Sequence, residues 1–159
     1  MNFADTNWLS AIYIQPTPQE KEALTRREVV GRFMRRYGDR LIISPVVLLE
    51  ARNIFSRITR EREPREWQML ESDFDGRIYV DPMKWDALRR ECNLLFSKYA
   101  WKADIGSFDT AIIASAKLAG GSVFLSFDTT ARAMAAAEGM DVFPVLGAPD
   151  KQLVSRLKR

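Results

Sequence analysis

Residues 103–130 decide the fold, and they read A-D-I-G-S-F-D-T-A-I-I-A-S-A-K-L-A-G-G-S-V-F-L-S-F-D-T-T. Apolar residues recur at helical spacing after Ser107 and stop at Gly120 and Gly121, which predicts a loop followed by a helix that begins at Ser107. The apolar run over residues 122–126 predicts a short strand. A buried strand therefore follows directly after a helix.

One acid of this stretch falls on the inward face of the predicted helix. Asp109 lies one turn before Ile112 and Ile113, so its carboxylate shares the face that should pack against the rest of the protein. A buried carboxylate without a partner is costly. The group that compensates the charge of Asp109 therefore bears on the function.

The rest of the chain alternates between short apolar runs and longer segments of helical periodicity. The other predicted strands cover residues 2–5, 41–44, 78–80 and 142–145. The other predicted helices cover residues 18–37, 44–59, 64–76, 81–96 and 130–138. This alternation predicts a three-layer α/β/α fold, in which helices cover both faces of a mostly parallel central sheet. We expect a single domain over residues 1–147 and a basic C-terminal tail, frayed or in a short helix, over residues 148–159.

The composition excludes several classes of catalytic site. The chain has no histidine, which rules out Ser-His-Asp and Cys-His catalysis and metal sites built on imidazole. Any metal would be held by oxygen ligands, which favour magnesium, manganese or calcium. The formal charge is +3, from 24 Lys and Arg against 21 Asp and Glu. If several acids share one neutralised cleft, the remaining surface is basic and suits a polyanionic partner.

Cysteine content and hydropathy predict where the protein works. The single cysteine, Cys92, excludes an internal disulfide framework and is typical of a reducing compartment. The sequence shows no secretory signal, and no apolar run approaches the roughly 18 residues that span a bilayer. We therefore expect a cytoplasmic protein without a membrane partner.

Four acids follow strands or begin the helices after them: Asp5, Glu50, Asp109 and Asp128. In a parallel α/β sheet the functional crevice lies beyond the carboxyl ends of the strands, so these side chains should converge. Each also has an ordinary structural explanation. Asp5 and Asp128 suit helix N-caps, Asp109 suits a helix dipole, and Glu50 is able to pair with Arg57. The four together favour a site, in which a divalent cation relieves the mutual repulsion.

Four short motifs carry a resemblance to a known family. They are F-A-D-T-N at residues 3–7, L-L-E at 48–50, S-F-D-T-A-I-I-A-S-A at 107–116 and L-S-F-D at 125–128. In this order and spacing they resemble the PIN domain, specifically the VapC-type toxin ribonucleases. The resemblance implies a metal-dependent endoribonuclease, the toxin of a type II toxin–antitoxin system, that an antitoxin protein blocks. It also implies a homodimer.

The resemblance assigns roles to particular residues. Asp5, Glu50, Asp109 and Asp128 match the acidic quartet of the family, which would hold Mg²⁺ or Mn²⁺ for hydrolysis of RNA phosphodiesters. Thr6 and Ser126 match small hydroxyl positions beside the acids, and Asp104 is weighed equally as a site residue and a loop residue. Basic side chains near the cleft would hold flanking phosphates of the RNA. The candidates are Lys102, Lys117 and Arg132, of which Lys117 also suits a solvated helix end.

Two other functions stay open. A phosphatase on a similar sheet is one, although the haloacid-dehalogenase type needs an acid where this chain has Asn7. A catalytically silent PIN-fold module that binds RNA or protein is the other.

Two further expectations concern the placement of aromatic and apolar side chains. Trp67 and Trp85 should be core residues because they fit helix stripes, and an apolar surface near Val29, Val30, Phe33 and Met34 is hypothesised to receive the antitoxin.

Overall fold

A computed structural model describes residues 1–74 and 76–159 of the chain. The elements follow in the order β1 (Asn2–Ala4), α1 (Thr6–Tyr13), α2 (Lys21–Tyr37), β2 (Leu41–Ile43), α3 (Pro45–Thr59), α4 (Arg65–Ser72), β3 (Ile78–Val80), α5 (Trp85–Tyr99), α6 (Ser107–Leu118), β4 (Val123–Leu125), α7 (Thr129–Ala137), β5 (Asp141–Phe143) and α8 (Ala148–Lys158). Strands and helices alternate along the chain, as the sequence predicts.

The five strands form one parallel sheet in the order β3-β2-β1-β4-β5. Phe3 in the central strand is paired with Ile42 on one side and Phe124 on the other. The order of the strands reverses at β1, because the chain moves first to β2 and later to β4. Ligand-binding crevices of open α/β sheets lie at such a reversal, beyond the carboxyl ends of the strands.

The helices lie on both faces of this sheet, which confirms the three-layer α/β/α prediction. Crossovers between parallel strands are right-handed, so the connections before β3 cover one face and those after it cover the other. Accordingly α1 contacts α2, α3 and α4, whereas α5, α6, α7 and α8 contact one another in sequence. The strands between them are buried, and the rings of Phe3 and Phe124 stack at the centre with centroids 6.2 Å apart.

Helix α1 was not predicted from the sequence. Its eight residues follow β1 without a linker, and Asp5 caps its first turn by accepting a hydrogen bond from the Thr6 N–H at 2.7 Å. A helix this short has little intrinsic stability, and packing of its buried face supplies the rest. Trp8 and Leu9 provide that packing, since both are fully buried. The next helix correspondingly begins at Lys21 and not at residue 18.

Arg27 of α2 holds the C-terminal end of α1. Its Nη1 donates to the carbonyl oxygens of Ile12 at 3.0 Å, Ile14 at 3.2 Å and Ala11 at 3.4 Å. The last carbonyls of a helix have no partner within the helix, so a charged donor at this end satisfies them. This contact positions α1, and the N-cap of α1 is Asp5.

Replacing Arg27 with Met should lower the free energy of unfolding by about 2 kcal/mol, because the carbonyls lose a charged donor at a partly buried site. Urea denaturation would measure the change. Arg32→Met on the exposed face of the same helix is the control, with an expected effect below about 0.5 kcal/mol. Equal stability of the two variants would show that Arg27 does not support α1.

Several surface expectations are corrected by the structure. Trp85 is 70% exposed, so it is not a core residue. It has the same helical spacing as the buried residues of α5, but as the first residue of this helix it lies beyond the part that packs. Val30 and Phe33 of α2 are buried, with Phe33 against Trp8 and Phe143, so half of the hypothesised antitoxin surface is core, whereas Val29 and Met34 are partly exposed. For the C-terminal tail, the expected short helix is observed and not a frayed segment: residues 148–158 form α8, which packs on α7 and buries Leu157.

Among the helices of residues 1–74 and 76–159, none combines the length and the apolar character that crossing a membrane requires.

Candidate active site

Asp5 lies at the exit of the central strand and is 4% exposed. One carboxylate oxygen accepts from the Thr6 N–H at 2.7 Å. The other accepts from the Ser126 hydroxyl at 2.6 Å and from the Asn7 side-chain amide at 3.1 Å. Three donors from two strand exits therefore hold one buried carboxylate in a single orientation.

The pKa of Asp5 is raised from 3.8 to about 7. Burial is the main cause because it penalises the charged form, and repulsion from Glu50 and Asp109 adds to it. The hydrogen bonds from Ser126 and Thr6 act in the opposite direction. Without a nearby positive charge, this carboxyl group is therefore partly protonated at neutral pH.

Asn7 connects the exits of β1 and β4, a role that the sequence interpretation missed. Its amide nitrogen also donates to the Ser126 hydroxyl at 3.1 Å, and its carbonyl accepts from the Phe127 N–H at 2.9 Å. The only signal in the sequence was its place in F-A-D-T-N, two residues after Asp5. Its partners lie about 120 residues away in the chain, so spacing alone does not reveal them.

Glu50 reaches the same edge from α3, which begins at Pro45 after the N-cap Ser44. The Thr6 hydroxyl donates to Oε2 of Glu50, so this small side chain lies beside the acids as the sequence predicts. No ion pair between Glu50 and Arg57 is present in the described part of the chain. Thr6 thus joins two acids, because its N–H holds Asp5 and its hydroxyl holds Glu50.

Asp109 lies in the first turn of α6 and is half-buried. Its pKa is raised by partial burial and then by repulsion from Asp128 and Glu50. Gly106 lies directly beneath it, because a Cβ atom at this position would be 2.9 Å from Oδ2 of Asp109. A side chain before α6 would therefore displace this carboxylate.

Asp128 caps α7 and is exposed. Its Oδ1 accepts from the Ala131 N–H at 2.6 Å, and its own N–H donates to the Ser126 hydroxyl at 3.0 Å. Ser126 thereby contacts the backbone of one acid and the side chain of another. Asp104 is exposed in the loop before α6, and the repulsion at Asp5 and Asp109 comes from the other acids and not from Asp104.

The four acids of the sequence prediction thus share one electrostatic environment. Repulsion within the set raises the pKa of Asp5 and of Asp109, and within residues 1–74 and 76–159 none of the four carboxylates forms an ion pair with Lys or Arg. The same ranges contain no group of three or more acids close enough to form a complete metal site. The uncompensated charge and the all-oxygen donors suit a hard divalent cation, which would have to draw the carboxylates closer together.

This arrangement on a parallel sheet can be compared with known proteins. The PIN domain model matches residues 3–137, which include all four acids. The chain belongs to the PIN domain family. Among curated proteins, none matches this PIN domain significantly.

Solved structures of similar fold are found for this PIN domain. VapC20 of Mycobacterium tuberculosis, described as a toxin that cleaves the sarcin–ricin loop, has a TM-score of 0.65 and 15% identity, with 88% of this chain and 96% of that chain covered. FitAcB from Neisseria gonorrhoeae has a TM-score of 0.58 and 19% identity, with coverage of 90% and 96%. FitAB bound to an IR36 DNA fragment has a TM-score of 0.56 and 19% identity, with coverage of 90% and 94%. These likenesses extend over nearly the whole fold.

The basic residues predicted to bind RNA are engaged elsewhere in this PIN domain. Lys102 donates to the carbonyl oxygen of residue 157 at 3.0 Å, near the end of α8. Lys117 forms ion pairs with Glu91 and, at 2.6 Å, with Glu138. Arg132 donates to the carbonyl oxygen of residue 144 at 3.0 Å and lies 3.4 Å from the carboxylate of residue 150. These contacts join helices, and RNA binding by the three side chains stays a prediction.

Proposed function

We propose that this PIN domain is a metal-dependent endoribonuclease that acts as the toxin of a toxin–antitoxin pair. The observation that carries the proposal is the set of four acids, Asp5, Glu50, Asp109 and Asp128, at the strand exits without a basic counter-charge in the described residues. The description of VapC20 as an RNA-cleaving toxin supports RNA as the substrate class. An enzyme that cleaves the RNA of its own cell needs an inhibitor, which supports a protein antitoxin and a cytoplasmic location.

The four acids would hold Mg²⁺ or Mn²⁺. The bound ion would supply positive charge to the phosphodiester and activate water for its hydrolysis. A carboxylate offers about four acceptor positions, and three of those of Asp5 are occupied by Thr6, Asn7 and Ser126. These donors fix the direction of the remaining position. The Thr6 hydroxyl donates to Glu50 as well, so its N–H and its hydroxyl together position two acids relative to each other.

Asp109→Asn should reduce magnesium-dependent RNA cleavage about 100-fold or more, because it removes a charged oxygen from a site that stabilises the transition state by several kcal/mol. Asp86→Asn is the matched control, since Asp86 also lies in the first turn of a helix but is exposed on α5. Cleavage of a labelled RNA would be followed with and without EDTA, and circular dichroism would confirm folding. Undiminished cleavage by Asp109→Asn would refute the assignment.

A homodimer is a further part of this proposal. The resemblance to VapC-type toxins supports it, and sedimentation of the purified protein would measure it.

A catalytically silent PIN-fold module is the second candidate. It is favoured by the absence of a closed group of three acids in the described residues, and by the ordinary capping contacts of Asp5 and Asp128. Titration with Mn²⁺ separates the two candidates, since a silent module would bind RNA or protein without binding the ion. Hydrolysis of a chromogenic phosphate ester in the same preparation would instead support the phosphatase alternative.

A further inference from the structure

A groove of about 760 Å³ is lined by residues of α1, α2, α3 and α4 and of the segments between these helices. Asn7, which holds Asp5, lines one end of it. The remaining polar lining is mostly neutral or acidic and includes Glu20, Glu61 and Glu66. Arg26 is the single basic residue among the described residues that line the groove. Positive charge in the lining of this groove is therefore concentrated in one side chain.

Arg26 is tied to the acidic site through an aromatic ring. Its guanidinium carbon lies 5.3 Å from the ring centroid of Phe127, the residue between Ser126 and Asp128. The Phe127 ring in turn stacks on the buried ring of Trp8, with centroids 5.3 Å apart and an angle of 18° between the planes. A cation over a fixed aromatic face has a defined position. The core thus holds the guanidinium next to the segment that carries Asp128.

The ion pair of Arg26 is weak, so its guanidinium is able to exchange this partner for another anion. Its partner is Glu22, one turn earlier on the same helix, at 2.6 Å. The side chains of Arg26 and Glu22 are 39% and 80% exposed, and pairs this exposed contribute little to stability. A phosphate diester is a better partner, because the guanidinium fork donates two parallel hydrogen bonds to its oxygens.

We infer that Arg26 binds the RNA phosphate next to the one that is cleaved. This inference rests on the proposed function, since it assumes that the acids act on RNA. A polyanion approaching four acids is repelled, and a cation on the rim of the same site offsets that repulsion. Because the guanidinium lies over the Phe127 ring, it is able to exchange Glu22 for the phosphate while it stays beside the acidic site. Of the three basic residues predicted from the sequence, Lys102 also lies over an aromatic ring, with Nζ 5.1 Å from the centroid of Trp101, but that ring is exposed and does not adjoin one of the four acids in the chain.

Arg26→Gln should raise the KM for a short RNA, such as a tetranucleotide, about 10-fold or more with a smaller change in kcat, because a hydrogen-bonded charge to the substrate is lost. The slope of the logarithm of the binding constant against the logarithm of the salt concentration should become shallower by about one, the change expected for the loss of one phosphate contact. Arg26→Lys keeps the charge without the fork and should give an intermediate KM.

Removing the competing partner by Glu22→Gln should lower the KM, whereas Glu28→Gln on the exposed side of the helix should change it less.

Arg36→Gln is the matched control. Arg36 lies on the same helix, and its guanidinium carbon is 5.2 Å from the ring centroid of Tyr37, so the substitution removes the same charge and the same type of contact. Ten helical residues separate it from Arg26, about 15 Å along the axis, beyond the reach of a tetranucleotide bound at the acids. Equal KM values for wild type, Arg26→Gln and Arg36→Gln would overturn the inference, as would an equal weakening by both substitutions.

Binding of the same RNA in EDTA, measured by fluorescence anisotropy, separates this inference from the proposed function. If the wild-type protein binds RNA but does not cleave it when Mg²⁺ is restored, the enzyme proposal fails and, with it, the placement of Arg26 next to a cleaved phosphate; weaker binding by Arg26→Gln would then show only that Arg26 contacts RNA. If wild type cleaves RNA and Arg26→Gln matches it in binding and KM, the proposed function stands and the role of Arg26 is wrong. If the wild-type protein neither binds nor cleaves RNA, both fail.

Discussion

Asp5→Asn should stabilise the metal-free protein above pH 7 while abolishing RNA cleavage. Burial raises the pKa of Asp5 from 3.8 to about 7, so the folded protein resists the ionisation that the unfolded chain undergoes freely. At 1.36 kcal/mol per pH unit, this difference corresponds to a cost of up to about 4 kcal/mol once the group is ionised in both states. Asn carries no charge to bury, although its amide nitrogen is a donor placed among groups that donate to the carboxylate, which offsets part of the gain. The variant therefore avoids the cost.

The pH dependence of this effect has a definite sign. Below about pH 4 Asp5 is protonated in both states and contributes no penalty. Between about pH 4 and 7 the folded protein holds a proton that the unfolded chain has lost, so wild-type stability falls as the pH rises. Above this range the difference is constant. The stability gap between variant and wild type should thus grow from pH 4 to 7 and then level off.

Thermal unfolding in EDTA across this pH range would measure the gap. The melting temperature of Asp5→Asn at pH 8 should exceed that of wild type by at most about 8–16 °C, given about 2–4 °C per kcal/mol for a chain of this size. Added Mn²⁺ should stabilise wild type more than the variant, because an ion bound only to the folded state raises its stability. Asp86→Asn should show neither effect. A variant less stable than wild type at pH 8 would show that Asp5 serves the fold and not a bound cation.

Gly106→Ala should reduce RNA cleavage about 10- to 100-fold although it removes no functional group. The added Cβ would lie 2.9 Å from Oδ2 of Asp109, which is closer than two such atoms approach, so the carboxylate must move. Moving it is easy because it ends a flexible side chain, and displacements of about 1 Å in a catalytic group cost about 100-fold. The backbone at Gly106, with φ −72° and ψ 147°, accepts alanine without strain. Stability should therefore change little.

Gly147→Ala provides the matched control for this experiment. Gly147 precedes α8 as Gly106 precedes α6, and its φ of −75° and ψ of 176° are also in the extended region. Its added Cβ would meet only Pro149 Cδ at an ordinary distance of 3.8 Å. Single-turnover cleavage rates and melting temperatures of the two variants would be compared. Wild-type cleavage by Gly106→Ala would mean that the position of the Asp109 carboxylate does not matter for the reaction.

Features that depend on neighbouring residues could be read from the sequence. The predicted strand at residues 78–80 has the observed bounds, and the predicted helix start at Ser107 is also the observed one. Strand–helix alternation was sufficient for the α/β class and the parallel sheet, since these follow from the period of the apolar residues. The short helix α1 was missed because its eight residues depend on the burial of Trp8 and Leu9 and not on local propensity.

In the candidate site, too, local features could be predicted from the sequence, whereas most contacts between distant segments could not. The four acids were identified because each follows a strand or lies in the first turns of the helix after one, which is a local feature of the sequence. Their supporting contacts were only partly anticipated: Thr6 and Ser126 were expected beside the acids, whereas Asn7 was not. The basic residues were the least predictable, since Lys117 lies against Glu91 and Glu138, 26 and 21 residues away. Charge alone does not tell which partner a long side chain reaches.

The sequence by itself determined the class of fold and the family, and it predicted the four acids as a site, because apolar period, helix caps and short motifs are properties of adjacent residues. Only the tertiary structure decided that Asp5 is buried enough to resist ionisation, that Asn7 joins two strand exits and that Arg26 lies over Phe127. Burial and contacts between distant segments depend on how the layers pack. Desolvation and the exact placement of charge, which set the chemistry of this edge, therefore arise only in the folded chain.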